Sequence, residues 1–147
     1  MPALFLAMGP TSSLSQKSLH SYLIRDTIHS MGWTVEFFVD ANGSAPVENF
    51  LTALPLNHKA KALAIIKILE QEGPNLPFPF SSQVRGKLRE LRTQQGKDKL
   101  RILYFGDSRR VFILLHGIVK RKAKLPEAEI QTAEARMLLH NKRLERR

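Results

Sequence analysis

Val47, Phe50, Leu51 and Leu54 recur at intervals of three, four and seven, the spacing of one buried stripe on an α-helix. A second stripe of Ala62, Ile65, Ile66 and Leu69 follows, while Lys59, Lys61, Lys67 and Glu70 fall mostly on the opposite side, toward water. The spacing predicts a short helix capped by Ser44 and ended by Pro55, then a longer one over about 57–72 that Gly73-Pro74 stops. A link of two or three residues makes these an antiparallel hairpin, whose apolar stripes need a sheet to cover.

Strand patterns flank this hairpin. Gly32 to Val39 reads as a strand closed by the turn Asp40-Ala41-Asn42-Gly43. Residues 75–83 read as a proline-rich loop, and strands are expected over 87–92, 100–105 and 111–119. The link from Gly106 to Arg110 has hairpin length, so the last two strands should pair antiparallel. The unbroken apolar run Val111 to Leu115 suits an interior strand. Pro126 can open a terminal helix carrying Ile130, Ala133, Met137, Asn141 and Leu144, with a frayed tail over 142–147. The fold class predicted is α+β: a small, antiparallel-rich twisted sheet with the helical hairpin on one face and a C-terminal helix. Residues 1–30, rich in Ser, Thr and His, read as an N-terminal extension, disordered or a start-site artefact, ahead of a domain over 31–147.

Composition narrows the function classes. A chain of 147 residues with 43% hydrophobic content can bury one core without staples. Cysteine is absent, which excludes disulfides, thiolate metal sites and cysteine nucleophiles, and suits a reducing cytoplasm. No apolar run approaches the ~18 residues of a membrane span, and no basic segment precedes the apolar opening as in a signal peptide.

Charge changes the picture more. Between Val84 and Lys124 lie thirteen Lys or Arg against three acids, a net +10 that equals the excess of the whole chain. Strands hold these side chains on common surfaces, which should attract a polyanion such as nucleic acid. Alternation puts Arg92 beside Leu88 and Glu90 on one face, with Lys87, Arg89 and Leu91 on the other. On the next strand Arg101 shares a face with Leu103 and Phe105. Glu90, Arg92 and Arg101 would be awkward beneath helices, so one face should pack on the helix pair while the other lines a wet, concave groove. They could equally form a cross-strand salt-bridge cluster. His116 has the natural pKa for acid–base work, although a lone histidine on an apolar strand is more often packed. Trp33, Phe78 and Phe80 could stack bases, but packing of the strand start and anchoring of the loop are the expected roles.

In their order, Val35-Glu36-Phe37-Phe38, Pro46 to Leu51, Gly73 to Leu76, Gly86 to Arg92, Arg101 to Phe105, Leu115 to Lys122 and the segment from Pro126 to Arg136 resemble the RelE/HigB superfamily of toxin-antitoxin toxins, particularly its phage-derived HigB-like branch. The resemblance covers about residues 31–137. It implies a cytoplasmic toxin that cleaves messenger RNA, free or on the ribosome, without metal or cofactor, and is held by a cognate antitoxin, expected to be a helix-turn-helix protein. Arg92 and Arg101 match the sheet arginines that engage the scissile phosphate. Glu90 is a candidate base or a holder of those arginines, and His116 a candidate acid or base. Arg85, Lys87, Arg89, Lys99, Lys120, Arg121, Lys122 and Lys124 are the expected RNA contacts. No tyrosine follows Tyr104, so the RelE-type catalytic set is incomplete. Two other functions stay open: a ParE-like toxin that inhibits a DNA-handling enzyme such as gyrase, and a non-catalytic RNA-binding protein.

Overall fold

In a computed structural model that describes residues 32–146, one mixed sheet is built from β1 (Thr34–Phe37), β2 (Ser81–Arg85), β3 (Leu88–Gln95), β4 (Asp98–Gly106) and β5 (Val111–Lys120). Their spatial order is β1-β5-β4-β3-β2. Every neighbouring pair is antiparallel except β1, which runs parallel to β5. Helices α1 (Pro46–Ala53) and α2 (Leu56–Glu72) connect β1 to β2, and α3 (Glu127–Glu145) follows β5. The expected α+β class is the observed one. The extension over 1–30 lies outside the described residues.

Strand alternation divides the core into two layers. Leu91, Leu100, Ile102 and Tyr104 face the hairpin, where Val47 and Leu51 of α1 and Ala62, Ile65 and Leu69 of α2 cover them. Leu88, Leu103, Phe105 and Ile113 face the other way, against Ala133, Ile130 and Met137 of α3. Trp33 stacks on Phe112 at 4.3 Å between ring centres, so it packs the start of β1 as expected.

The β4–β5 ladder contains a bulge. Leu103 lies opposite His116, yet Tyr104 lies opposite Leu114, which leaves Leu115 as the extra residue. Past that point β5 changes face, so Gly117 turns toward the hairpin opposite Ile102. A Cβ on Gly117 would stand 2.3 Å from the Phe50 ring of α1, so the missing side chain is what lets this helix lie on the strand.

Three expectations are corrected. The N-cap of α1 is Ala45, with no side-chain cap; Ser44 instead accepts a hydrogen bond at Oγ from Asn49 Nδ2 at 2.9 Å. The segment read as a loop over 75–83 contains the start of β2, because pairing with β3 orders a polar stretch that carries no strand pattern of its own. The tail expected to fray is helical to Glu145: Arg143 donates to the Val39 carbonyl and lies 5.3 Å from the centre of the Phe38 ring.

Asp107 locks the β4–β5 turn and fastens α3 to it. Its Oδ1 accepts from the backbone N–H of Arg109 at 2.8 Å and of Val111 at 3.2 Å, and its Oδ2 from His140 Nε2 at 3.0 Å and Arg109 Nη2 at 2.6 Å. Burial opposes ionisation of this carboxyl, but the bonds from Arg109, His140 and the backbone outweigh it and hold the pKa below the ordinary value. A depressed native pKa contributes stability that is complete above the unfolded value of about 4 and is lost as pH falls through the native one.

Asp107→Asn should therefore cost about 3 kcal/mol near neutrality and flatten the fall in stability below pH ~4, checked by urea unfolding between pH 2.5 and 7. An acid limb as steep as that of the native chain would assign the effect to other carboxylates. Gly117→Ala should cost about 1–3 kcal/mol through the clash with Phe50. A urea midpoint equal to the native one would mean that α1 lifts from β5 without penalty.

Candidate functional site

Cross-strand register brings the two central arginines together. Arg92 on β3 lies directly opposite Arg101 on β4, so both share the face that carries Glu90. Two facing cations repel, and Glu90 bridges them: its Oε2 accepts from Arg92 Nη1 at 2.8 Å, while Oε1 stands 3.6 Å from Arg101 Nε. Arg92 is further held by the Pro79 carbonyl at 3.1 Å and by the face of Phe78, 5.1 Å away. Arg101 Nη1 donates to the carbonyls of Thr93 at 3.0 Å and Leu100 at 2.9 Å. Its buried Nε has no hydrogen-bond partner among the described residues.

The groove is less open than the sequence suggested. The side chain of Arg92 is 28% exposed and that of Arg101 only 6%. Folding the guanidinium back onto strand carbonyls and α3 covering part of this face account for the difference. Burial, then the neighbouring Arg92, lowers the pKa of Arg101, with Glu90 acting the other way.

Beyond the bulge, Lys120 lies opposite Lys99, on the face of Arg101. Its Nζ donates to the carbonyls of Lys122 at 2.7 Å and Ala123 at 2.8 Å. Burial and then Arg101 push its pKa down. Arg92, Arg101, Lys99 and Lys120 thus crowd one face with Glu90 among them, a field that an anion such as a phosphate would relieve.

His116 reaches the same face but is engaged by α3. Arg136 Nη1 donates to His116 Nδ1 at 3.0 Å and to the Leu115 carbonyl at 2.9 Å, and Glu129 Oε1 contacts Nε2. An arginine can only donate, so Nδ1 carries no proton and the proton sits on Nε2, directed at Glu129. Sequence reasoning did not single out Glu129 and Arg136 as site residues. They stand seven apart, two turns along one helical face, and that spacing is the signal that could have found them.

The other expected contacts are dispersed. Arg85 sits at the end of β2, clamped by Glu127 at 2.9 Å and Glu134 at 2.7 Å of α3, and these bonds raise its pKa. Arg89 occupies the hairpin face and donates to Ser81 Oγ at 3.1 Å. Arg121 binds Asp98 at 2.8 Å, a carboxylate shared with His58 of α2 at 2.9 Å. Lys87, Lys122 and Lys124 are exposed in turns. Among the described residues no group of three or more His, Cys, Asp or Glu is placed to hold a metal ion, and no helix is long and apolar enough to cross a membrane.

The whole is an α+β protein, a helix-flanked sheet with Arg92, Arg101, Lys99 and Lys120 gathered around Glu90 on one face. Residues 49–138 match the phage-derived Gp49-like protein family (DUF891), and the chain belongs to that family, one of toxin-antitoxin toxin-like proteins. The match runs from α1 into α3 and so contains Glu90, Arg92, Arg101, His116, Glu129 and Arg136. A comparison with curated proteins finds no match.

Long-range proton–nitrogen NMR of the native chain near neutral pH should report the Nε2–H tautomer of His116, and Arg136→Met should change the tautomer balance. An Nδ1–H His116 in the native chain would refute the arrangement.

Proposed function

We propose that this chain is the toxin of a type II toxin-antitoxin pair and a metal-independent endoribonuclease acting on messenger RNA, free or on the ribosome, in the cytoplasm. The observation that carries the reading is the facing pair Arg92 and Arg101, two forked donors on one side of the sheet with one carboxylate between them. Their combined charge suits the extra negative charge on phosphorus in the transition state. In the step envisaged, the ribose 2′-oxygen gives its proton to Glu90 Oε1 and bonds to phosphorus, while the bond to the 5′-oxygen breaks and that oxygen takes a proton. Glu90 Oε2 is tied to Arg92, which leaves Oε1 as the accepting oxygen. Lys120 suits the final donation, because burial and Arg101 make its proton easier to release. His116, with both ring nitrogens engaged, is given a positioning role between β5 and α3. A cognate antitoxin, a helix-turn-helix protein by this reading, would silence the enzyme by covering the cationic face.

A second reading draws on the burial of Arg101: a non-cleaving toxin of the ParE kind, which blocks a DNA-handling enzyme. Expression of the full chain separates the two. The nuclease should arrest growth, leave new transcript 5′-ends and cut RNA in the presence of a chelator. Arg92→Ala should slow cutting by about 100-fold or more, with Arg101→Lys retaining part of the rate. Growth arrest with intact transcripts and a DNA-damage response would overturn the nuclease in favour of the second reading.

A further inference from the structure

Strand β3 continues past its last partner on β2, where Leu91 pairs with Ser81, and along the edge beyond that point, bounded by α2 on one side and reaching Arg92 and Arg101 on the other, opens a cleft of about 390 Å³. We propose that this cleft seats one nucleotide of a single-stranded RNA, with its base against Phe80 and its phosphate on Arg92. The inference rests on the RNA reading above and adds to it where the base lies.

Three features of the cleft carry it. Lys61, Arg92 and Arg101 line it and, among the described residues, no carboxylate does; Glu90 outside the cleft balances one of these three charges, and the excess calls for an anion. Phe80 and Ile68 supply apolar wall, and Phe80 stays 44% exposed. Loop anchoring, the role expected for this ring from sequence, leaves that exposed area without a function, whereas stacking on a base uses it. Thr93 adds a hydroxyl and Gln94 an amide oxygen of the kind that reads a base edge, Gln94 Nε2 being spent on the Gly96 carbonyl at 2.8 Å. The volume falls within the ~300–1,000 Å³ usual for small-ligand sites. Because Arg92 belongs to both the cleft and the facing arginine pair, a phosphate held there would join the seated base directly to the scissile linkage. An acidic protein segment would also answer the charge, but it would not need a flat ring beside an amide.

The test is amide NMR of the full-length chain titrated separately with each of the four ribonucleoside 5′-monophosphates, with ribose 5-phosphate and with hexaglutamate. Saturable shifts at Phe80, Thr93 and Gln94 are expected with at least one nucleotide, binding about tenfold tighter than ribose 5-phosphate. Phe80→Ala, at a half-exposed position, should remove most of that advantage and alter the base preference beside the cleavage point. Equal binding of ribose 5-phosphate, no shift with any nucleotide, or shifts with hexaglutamate alone would overturn the proposal. Cleavage by Phe80→Ala at native rate and preference would also sink the cleft while sparing the nuclease. Nucleotide binding in the cleft by a chain that cuts no RNA would do the reverse.

Discussion

The single extra residue in β5 sets what each end of that strand can meet. Before Leu115, β5 alternates Phe112 and Leu114 toward the hairpin with Ile113 toward α3; after it the assignment is inverted. Without the bulge His116 would point at the hairpin layer, Gly117 would leave Phe50 without its seat, and Lys120 would lie on the wrong side of the sheet from Arg101. A bulge costs one residue of ladder pairing and returns a local change of face. Here that change delivers a histidine to the C-terminal helix and a lysine to the arginine pair.

Electrostatics then sorts the basic residues into two groups. Arg85, Arg109, Arg121 and Arg136 are used as fasteners. Arg85 and Arg136 join α3 to the sheet directly, whereas Arg109 and Arg121 hold Asp107 and Asp98, the carboxylates that also take His140 of α3 and His58 of α2. A histidine takes part in three of these ties: His58 with Asp98, His116 with Glu129, and His140 with Asp107. Arg92, Arg101, Lys99 and Lys120 are left around Glu90, with more positive charge than that carboxylate can balance. The fold tolerates this imbalance because strand carbonyls and the Phe78 ring take up part of it. Uncompensated cations held on one face set up a field that attracts anions.

The same sorting explains why the positive stretch reads more simply in sequence than in space. Thirteen cations between Val84 and Lys124 suggest one continuous basic surface. Strand alternation already sends Arg89 to the hairpin face, and acids from Asp98 and from α3 claim Arg121 and Arg85. The cationic face that remains is small and partly sheltered.

Local periodicity was enough to determine both hairpin helices, the terminal helix, four of the five strands and the shared face of Glu90, Arg92 and Arg101, because 3.6-residue and two-residue repeats follow from backbone geometry alone. It also determined that charge concentrates on the strands. Only the tertiary structure decided the rest: β2 emerges by pairing, β1 enters parallel beside β5, Leu115 bulges, and Glu129 and Arg136 close on His116 from thirteen and twenty residues away. Such contacts depend on which strand edges and helix faces meet across the chain, and no short window of residues encodes that.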